Sequence, residues 1–127
     1  MLGTYALSSG YYDKYYLKAQ KVRTLIAKDL DNAFKKVDIL IAPTSPFPAL
    51  KLGATTNDPM FGEMQDILVE ASSLTGLPGI NLCCGFTKNN LPIGMQIIGP
   101  QFSEGLLLKV GYFYQQITDW HKKRPNI

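Results

Sequence analysis

The sequence predicts an α/β fold: a mixed β-sheet with an antiparallel hairpin, covered by helices. Three observations predict it. Residues 77–99, LPGINLCCGFTKNNLPIGMQIIG, carry period-two alternation twice, at Ile80, Leu82 and Cys84 and again at Ile93, Met95 and Ile97. The stretches 12–37 and 107–117 instead carry apolar residues in steps of three and four, the spacing of one helix face. Between them the run DILIA at 38–42 has the composition of a further strand. A lone hairpin is only marginally stable in water, so more sheet must lie beside it and helices over it.

The chain has 127 residues, one domain's worth (1–127), and such a domain buries roughly two thirds of its unfolded surface. With 46% hydrophobic residues it reads as globular rather than disordered. The net charge of +3 is partly concentrated at His121, Lys122, Lys123 and Arg124, which permits an acidic partner surface without demanding one. No apolar run approaches the roughly 18 to 20 residues that span a bilayer, and no basic-then-apolar leader opens the chain. The expectation is a soluble, cytoplasmic protein with no membrane partner.

Taken in order, residues 1–7 are compatible with a helix that Ser8, Ser9 and Gly10 interrupt. From Tyr12 through Tyr16, Ala19, Val22, Ile26, Leu30 and Phe34 to Val37, a single apolar face holds for about seven turns. Asp31 and Lys35, four apart on the polar face, form a weak favourable pair. Residues 38–42 read as a buried strand of a parallel or mixed sheet, ended by Pro43. Pro43, Pro46 and Pro48 then enforce extended chain, and 44–59 is an irregular excursion of the length that usually serves function or packs against something else. Residues 61–74 carry a weak helix stopped by Gly76 and Pro78. In the hairpin, Thr87, Lys88, Asn89 and Asn90 form the turn, and Pro92 delays the return strand. Ser103 is placed to cap a closing helix whose stripe is Leu107, Val110, Phe113, Tyr114 and Ile117.

Chemistry-bearing groups are sparse. The pairs Ser8–Ser9 and Ser72–Ser73 lie in no glycine-rich elbow and beside no base, so helix-boundary or packing roles suit them better than nucleophilic ones. His121 stands in a basic tail, where a solvated role is expected. Cys83 and Cys84 are adjacent, with Cα atoms about 3.8 Å apart, and read as reduced, with Cys84 packing as a small hydrophobe. Two cysteines and one histidine give no metal site. Tyr11, Tyr12, Tyr15 and Tyr16 among lysines resemble a base-stacking surface, although tyrosines at this spacing more often face a core. Asp58, before Pro59, reads as a turn residue. Asp66, between Met64, Ile67 and Leu68, is expected to be partly buried, and a buried carboxylate needs a helix cap, a cation or a cationic ligand as partner.

Several strings together resemble the C-terminal part of the amidase signature family. They are 2–26 (LGTYALSSGYYDKYYLKAQKVRTLI), VDILIAPTSPFPA, NDP at 57–59, LTGLPGINLCCGF and LPIGMQIIGPQF. GLPG followed by LPIGMQIIG is common to the wider family. The helix YYDKYYLKAQKVRTLI is closer to its tRNA amidotransferase branch.

That resemblance implies a C-terminal part of the amidase signature fold, from the glutamine-hydrolysing A-subunit of an amidotransferase. The ammonia would pass to a B-subunit, which uses ATP and Mg to amidate glutamate carried on tRNA(Gln), with a small C-subunit holding the pair together. The family's glutaminase triad, a lysine and two serines in a glycine- and serine-rich run, has no counterpart in these residues, so no catalytic residue is assigned and the chain alone is expected to be inactive. The family aspartate that holds the substrate's α-ammonium matches Asp66, although Gly62, Glu63 and Met64 depart from the leucine and tyrosine pattern upstream. Two rival readings are a complete small basic domain that binds RNA or protein through the 11–23 helix, and a piece of another amidohydrolase of the same family.

Overall fold

The computed structural model of the chain describes residues 12–54, 60 and 64–125. Within them three strands form one sheet: β1 (Leu40–Pro43), β2 (Gly79–Phe86) and β3 (Pro92–Ile98), in the order β1-β3-β2. The hairpin β2–β3 is antiparallel, as its alternation predicts, with Asn81 opposite Gln96 and Leu82 opposite Met95. Its turn is held from one side chain. The Thr87 hydroxyl accepts from the amides of Asn89 and Leu91, and Asn90 takes a left-handed φ of 59°.

The strand at β1 corrects one expectation. It pairs antiparallel with β3, Leu40 opposite Ile98 and Ala42 opposite Gln96, and lies at the edge of the sheet among the described residues. Its burial alternates and Ile41 is 60% exposed. A short, mostly apolar run such as 38–42 cannot reveal whether both of its faces are covered. A second correction falls on Cys84. The register slips between Cys83 and Gly85, so Cys84 is the extra residue of a β-bulge and the alternation stops there. Both thiols are free and half-buried, and Cys84 is not part of the core.

Helix α1 (Lys18–Phe34) follows a π-helical segment, Tyr12–Leu17. It ends at Phe34, short of Val37, to which the sequence carries the apolar stripe, and none of its described side chains is buried. Lys35 donates to Asn32 Oδ1 at 2.9 Å, so the Asp31–Lys35 pair does not form. Helix α2 (Glu70–Thr75) is shorter than the sequence suggests; a turn at 64–69 precedes it, and Gly76 closes it with φ 71°. Leu74 of α2 and Ala19, Val22 and Ile26 of α1 line a shallow cleft between the two helices.

Helix α3 (Glu104–Ile117) covers one face of the hairpin. Leu107, 2% exposed, joins Leu82 and Ile97 in the core, with Ile80, Met95, Val110 and Tyr114 packed around them. Gly111 brings the helix against Ile80 and Leu82. Phe113 and Ile117, predicted for the buried stripe, are 55% and 82% exposed. Ser103 sits at the N-cap, yet its hydroxyl donates back to the Pro100 carbonyl instead of capping the helix. Among the described residues no helix is long and apolar enough to cross a membrane. The readings made for Ser8, Ser9, Tyr11 and Asp58 fall outside the described residues.

Candidate functional site

The face of the sheet away from α3 carries the polar side chains of the central ladder. β3 turns Gly94, Gln96 and Ile98 to it, and the ladder places Asn81 and Ala42 on either side of Gln96. Just beyond β1, the Thr44 hydroxyl hydrogen-bonds to Asn81 Oδ1 across the strand between them, while the Thr44 amide donates to the Gly94 carbonyl at 3.1 Å. Gly94 is what allows this crossing. A Cβ there would lie 2.8 Å from Thr44 Oγ1 and 2.9 Å from Asn81 Oδ1. The face opens into a groove of about 580 Å³ lined by Thr44, Ser45, Phe47, Gln65, Asn81 and Cys83 among others.

Gln96 is 5% exposed, the buried polar side chain among the described residues. Its amide nitrogen donates twice, to the Pro43 carbonyl at 2.9 Å and to the Leu68 carbonyl at 2.8 Å. It therefore ties the end of β1 and the 64–69 turn to the same point of the central strand. Burial of an amide is tolerable because these bonds replace its hydration.

The turn carries Asp66. Its backbone carbonyl accepts from the amides of Val69 and Glu70, at 2.9 and 3.2 Å, which fixes the shape of the turn. The side chain is exposed, contrary to the expectation of partial burial, and makes no hydrogen bond or ion pair among the described residues. The apolar neighbours that suggested burial, Met64, Ile67 and Leu68, are themselves 49%, 58% and 37% exposed. Local apolar sequence buries a carboxylate only when another element covers both, and none of the described elements does. Gln65, not Asp66, reaches the groove.

The remaining sequence candidates separate. Ser72 and Ser73 both donate to the Val69 carbonyl, at 2.9 and 3.3 Å, the back-bonding of serines inside a short helix. His121 is not solvated in the way its basic neighbours suggested. The tail folds back on β2 through a 3₁₀ turn, Trp120–Lys122, placing the Trp120 ring 6.2 Å from that of Phe86 and leaving His121 Nδ1 buried without a partner among the described residues. Lys123 caps the two rings, its Nζ 4.9 Å from the Phe86 centroid and 5.1 Å from that of Trp120. Lys122 pairs with Asp119 at 2.6 Å, and this ammonium holds the exposed Asp119 carboxyl below its usual range. Among the described residues no three His, Cys, Asp or Glu side chains gather as a metal site. Thr44, Asn81 and Gln96 were not singled out from the sequence. Their signal was present, since Asn81 and Gln96 are polar residues inside two otherwise apolar strands, on matching faces.

The antiparallel sheet with a covering helix on one face and a groove on the other coincides with a profile match: the chain belongs to the amidase family, whose profile covers residues 1–108. Within that family it is similar to the A-subunit of glutamyl-tRNA(Gln) amidotransferase from Picosynechococcus sp., with 57% identity over 127 residues, 100% of this chain and 26% of the relative. The crystal structure of the glutamyl-tRNA(Gln) amidotransferase A-subunit from Thermotoga maritima superposes with a TM-score of 0.80 and 37% identity, over 93% of this chain and 26% of that one. A 6-aminohexanoate cyclic dimer hydrolase shares the fold at 22% identity, with a TM-score of 0.76 over 94% of this chain and 27% of its own. The chain thus spans about a quarter of the length of the relatives it matches.

Proposed function

We propose that this chain is the C-terminal part of the glutamine-hydrolysing A-subunit of a tRNA-dependent amidotransferase acting in the cytoplasm, and that Asp66 holds the α-ammonium of glutamine. The observation that carries the reading is the 57% identity, over the whole chain, to a relative named as that component of such an enzyme. In this reading the nucleophile and its lysine lie in the rest of the polypeptide. Ammonia passes to the B-subunit, where ATP and Mg act on the glutamate of charged tRNA(Gln), and the C-subunit joins the two. The 127 residues alone are inactive.

What this chain supplies is recognition. A free carboxylate on a turn anchored to the sheet suits an ammonium ligand, because nothing within the described residues competes for it. Once the rest of the amidase domain covers Met64, Ile67 and Leu68, the carboxylate stands in a drier setting. There an unpaired charge is expensive, and an amide lacking the ammonium is rejected.

The test is complementation. This chain, mixed with a polypeptide supplying the remainder of the amidase domain, releases ammonia from glutamine, and neither part does so alone. Asp66→Asn raises KM for glutamine about 100-fold, the usual scale for removing one partner of a desolvated charge pair. An unchanged KM removes the ammonium assignment. Faster hydrolysis of simple amides than of glutamine would transfer the chain to another amidohydrolase of the family.

A further inference from the structure

We propose that Gln96 is the positioning residue for Asp66, and that it sets how strictly the site demands an ammonium on its substrate; this rests on the reading of Asp66 given above. The hydrogen bonds inside the 64–69 turn, from Val69 and Glu70 to the Asp66 carbonyl, fix its shape but not its place. Its place relative to the sheet is set by the bond from Gln96 to the Leu68 carbonyl, two residues beyond Asp66. Gln96 is a rigid base for this purpose. It lies on the central strand, laddered to Ala42 on one side and Asn81 on the other, and is 5% exposed.

The second bond of the same nitrogen gives the device its function. By also holding the Pro43 carbonyl at 2.9 Å, Gln96 ties the 64–69 turn to the end of β1 as well as to β3, so the turn cannot shift along the sheet without breaking a buried bond. An ammonium paired with Asp66 therefore meets a carboxylate whose turn is held in place by one buried amide. An ion pair depends steeply on such placement, and shifts of about 0.5 Å separate a tuned site from a loose one. Amide hydrolysis itself needs no ammonium, so loosening the turn weakens selection for the amino acid more than turnover.

Two near-isosteric variants test this. Gln96→Met removes both donors, and Gln96→Glu places an acceptor against two carbonyls. In the chain by itself, hydrogen exchange at the Val69 and Glu70 amides accelerates on the order of tenfold, the loss of one buried hydrogen bond, while the α3 amides keep their rates. In the complemented enzyme, KM for glutamine rises by a similar factor with kcat unchanged, and the kinetics of glutaramate, the same amide without the amine, do not move.

Unchanged exchange at Val69 and Glu70 in both variants overturns the proposal, whatever Asp66 does. Equal losses for glutamine and glutaramate overturn it as well, since Gln96 then serves the fold and not the ammonium subsite. The reading of Asp66 is tested separately by Asp66→Asn, so accelerated exchange beside an unaffected Asp66→Asn enzyme identifies the substrate assignment as the part that failed.

Discussion

At the scale of single residues, the site is built from polar groups that the strand pattern makes look incidental. Gly94 is the clearest case, because its missing Cβ leaves room for Thr44 and Asn81 to meet across β3. Gly94→Ala breaks that meeting or displaces the strand, and lowers stability by about 1 to 3 kcal/mol, read as a reduced urea midpoint. Asp66→Asn, in contrast, leaves the stability of the isolated chain within about 0.5 kcal/mol, because the carboxylate is exposed and unpaired among the described residues. A marked loss of thermal stability in Asp66→Asn would mean that the residue is structural. Asp66 is singled out by its match to a family pattern, whereas its exposure was not legible, since Met64, Ile67 and Leu68 suggested a cover that these elements do not supply.

At the scale of elements, stability is uneven. The hairpin and α3 share the core, while α1, with no buried residue described, leans on the short α2 through a shallow cleft. Leu107→Ala therefore costs about 2 to 5 kcal/mol, measured by denaturant unfolding, because it empties the centre of the core. Amide exchange mapped along the chain follows the same division, fastest in α1 and slowest in β2, β3 and α3. Uniform protection of α1 and α3 would refute this. The tail is pinned by Trp120 against Phe86 and by Lys123 over both rings. Trp120 is the sole tryptophan, so Lys123→Ala registers directly in its emission. The existence of the long helix, the hairpin and the closing helix could be read from period. The edge position of β1, the bulge at Cys84 and the return of the tail could not, since each depends on which neighbour arrives.

At the scale of the molecule, many large apolar side chains among the described residues stand in solvent. They include Val22 and Leu25 on α1, Ile67 on the turn, and Leu108 and Phe113 on α3. Surfaces of this kind belong inside an interface. The isolated chain accordingly self-associates at micromolar concentration and binds an apolar dye, and both effects disappear when it is complemented by the rest of the amidase domain. A clean monomer by light scattering with no dye binding would contradict this.

The sequence by itself determined the class of fold, its main helices and hairpin, and the family, because periodicity and local strings are properties of neighbours along the chain. Tertiary structure decided the rest. It left Asp66 exposed and Cys84 half-buried, turned the Ser103 hydroxyl away from its helix, and joined Thr44 to Asn81 and Gln96 to Leu68. The physical reason is one of range. Burial and hydrogen bonding depend on which distant segment comes to lie against a residue, 28 positions away for Gln96 and Leu68, and no spacing along the chain encodes that meeting.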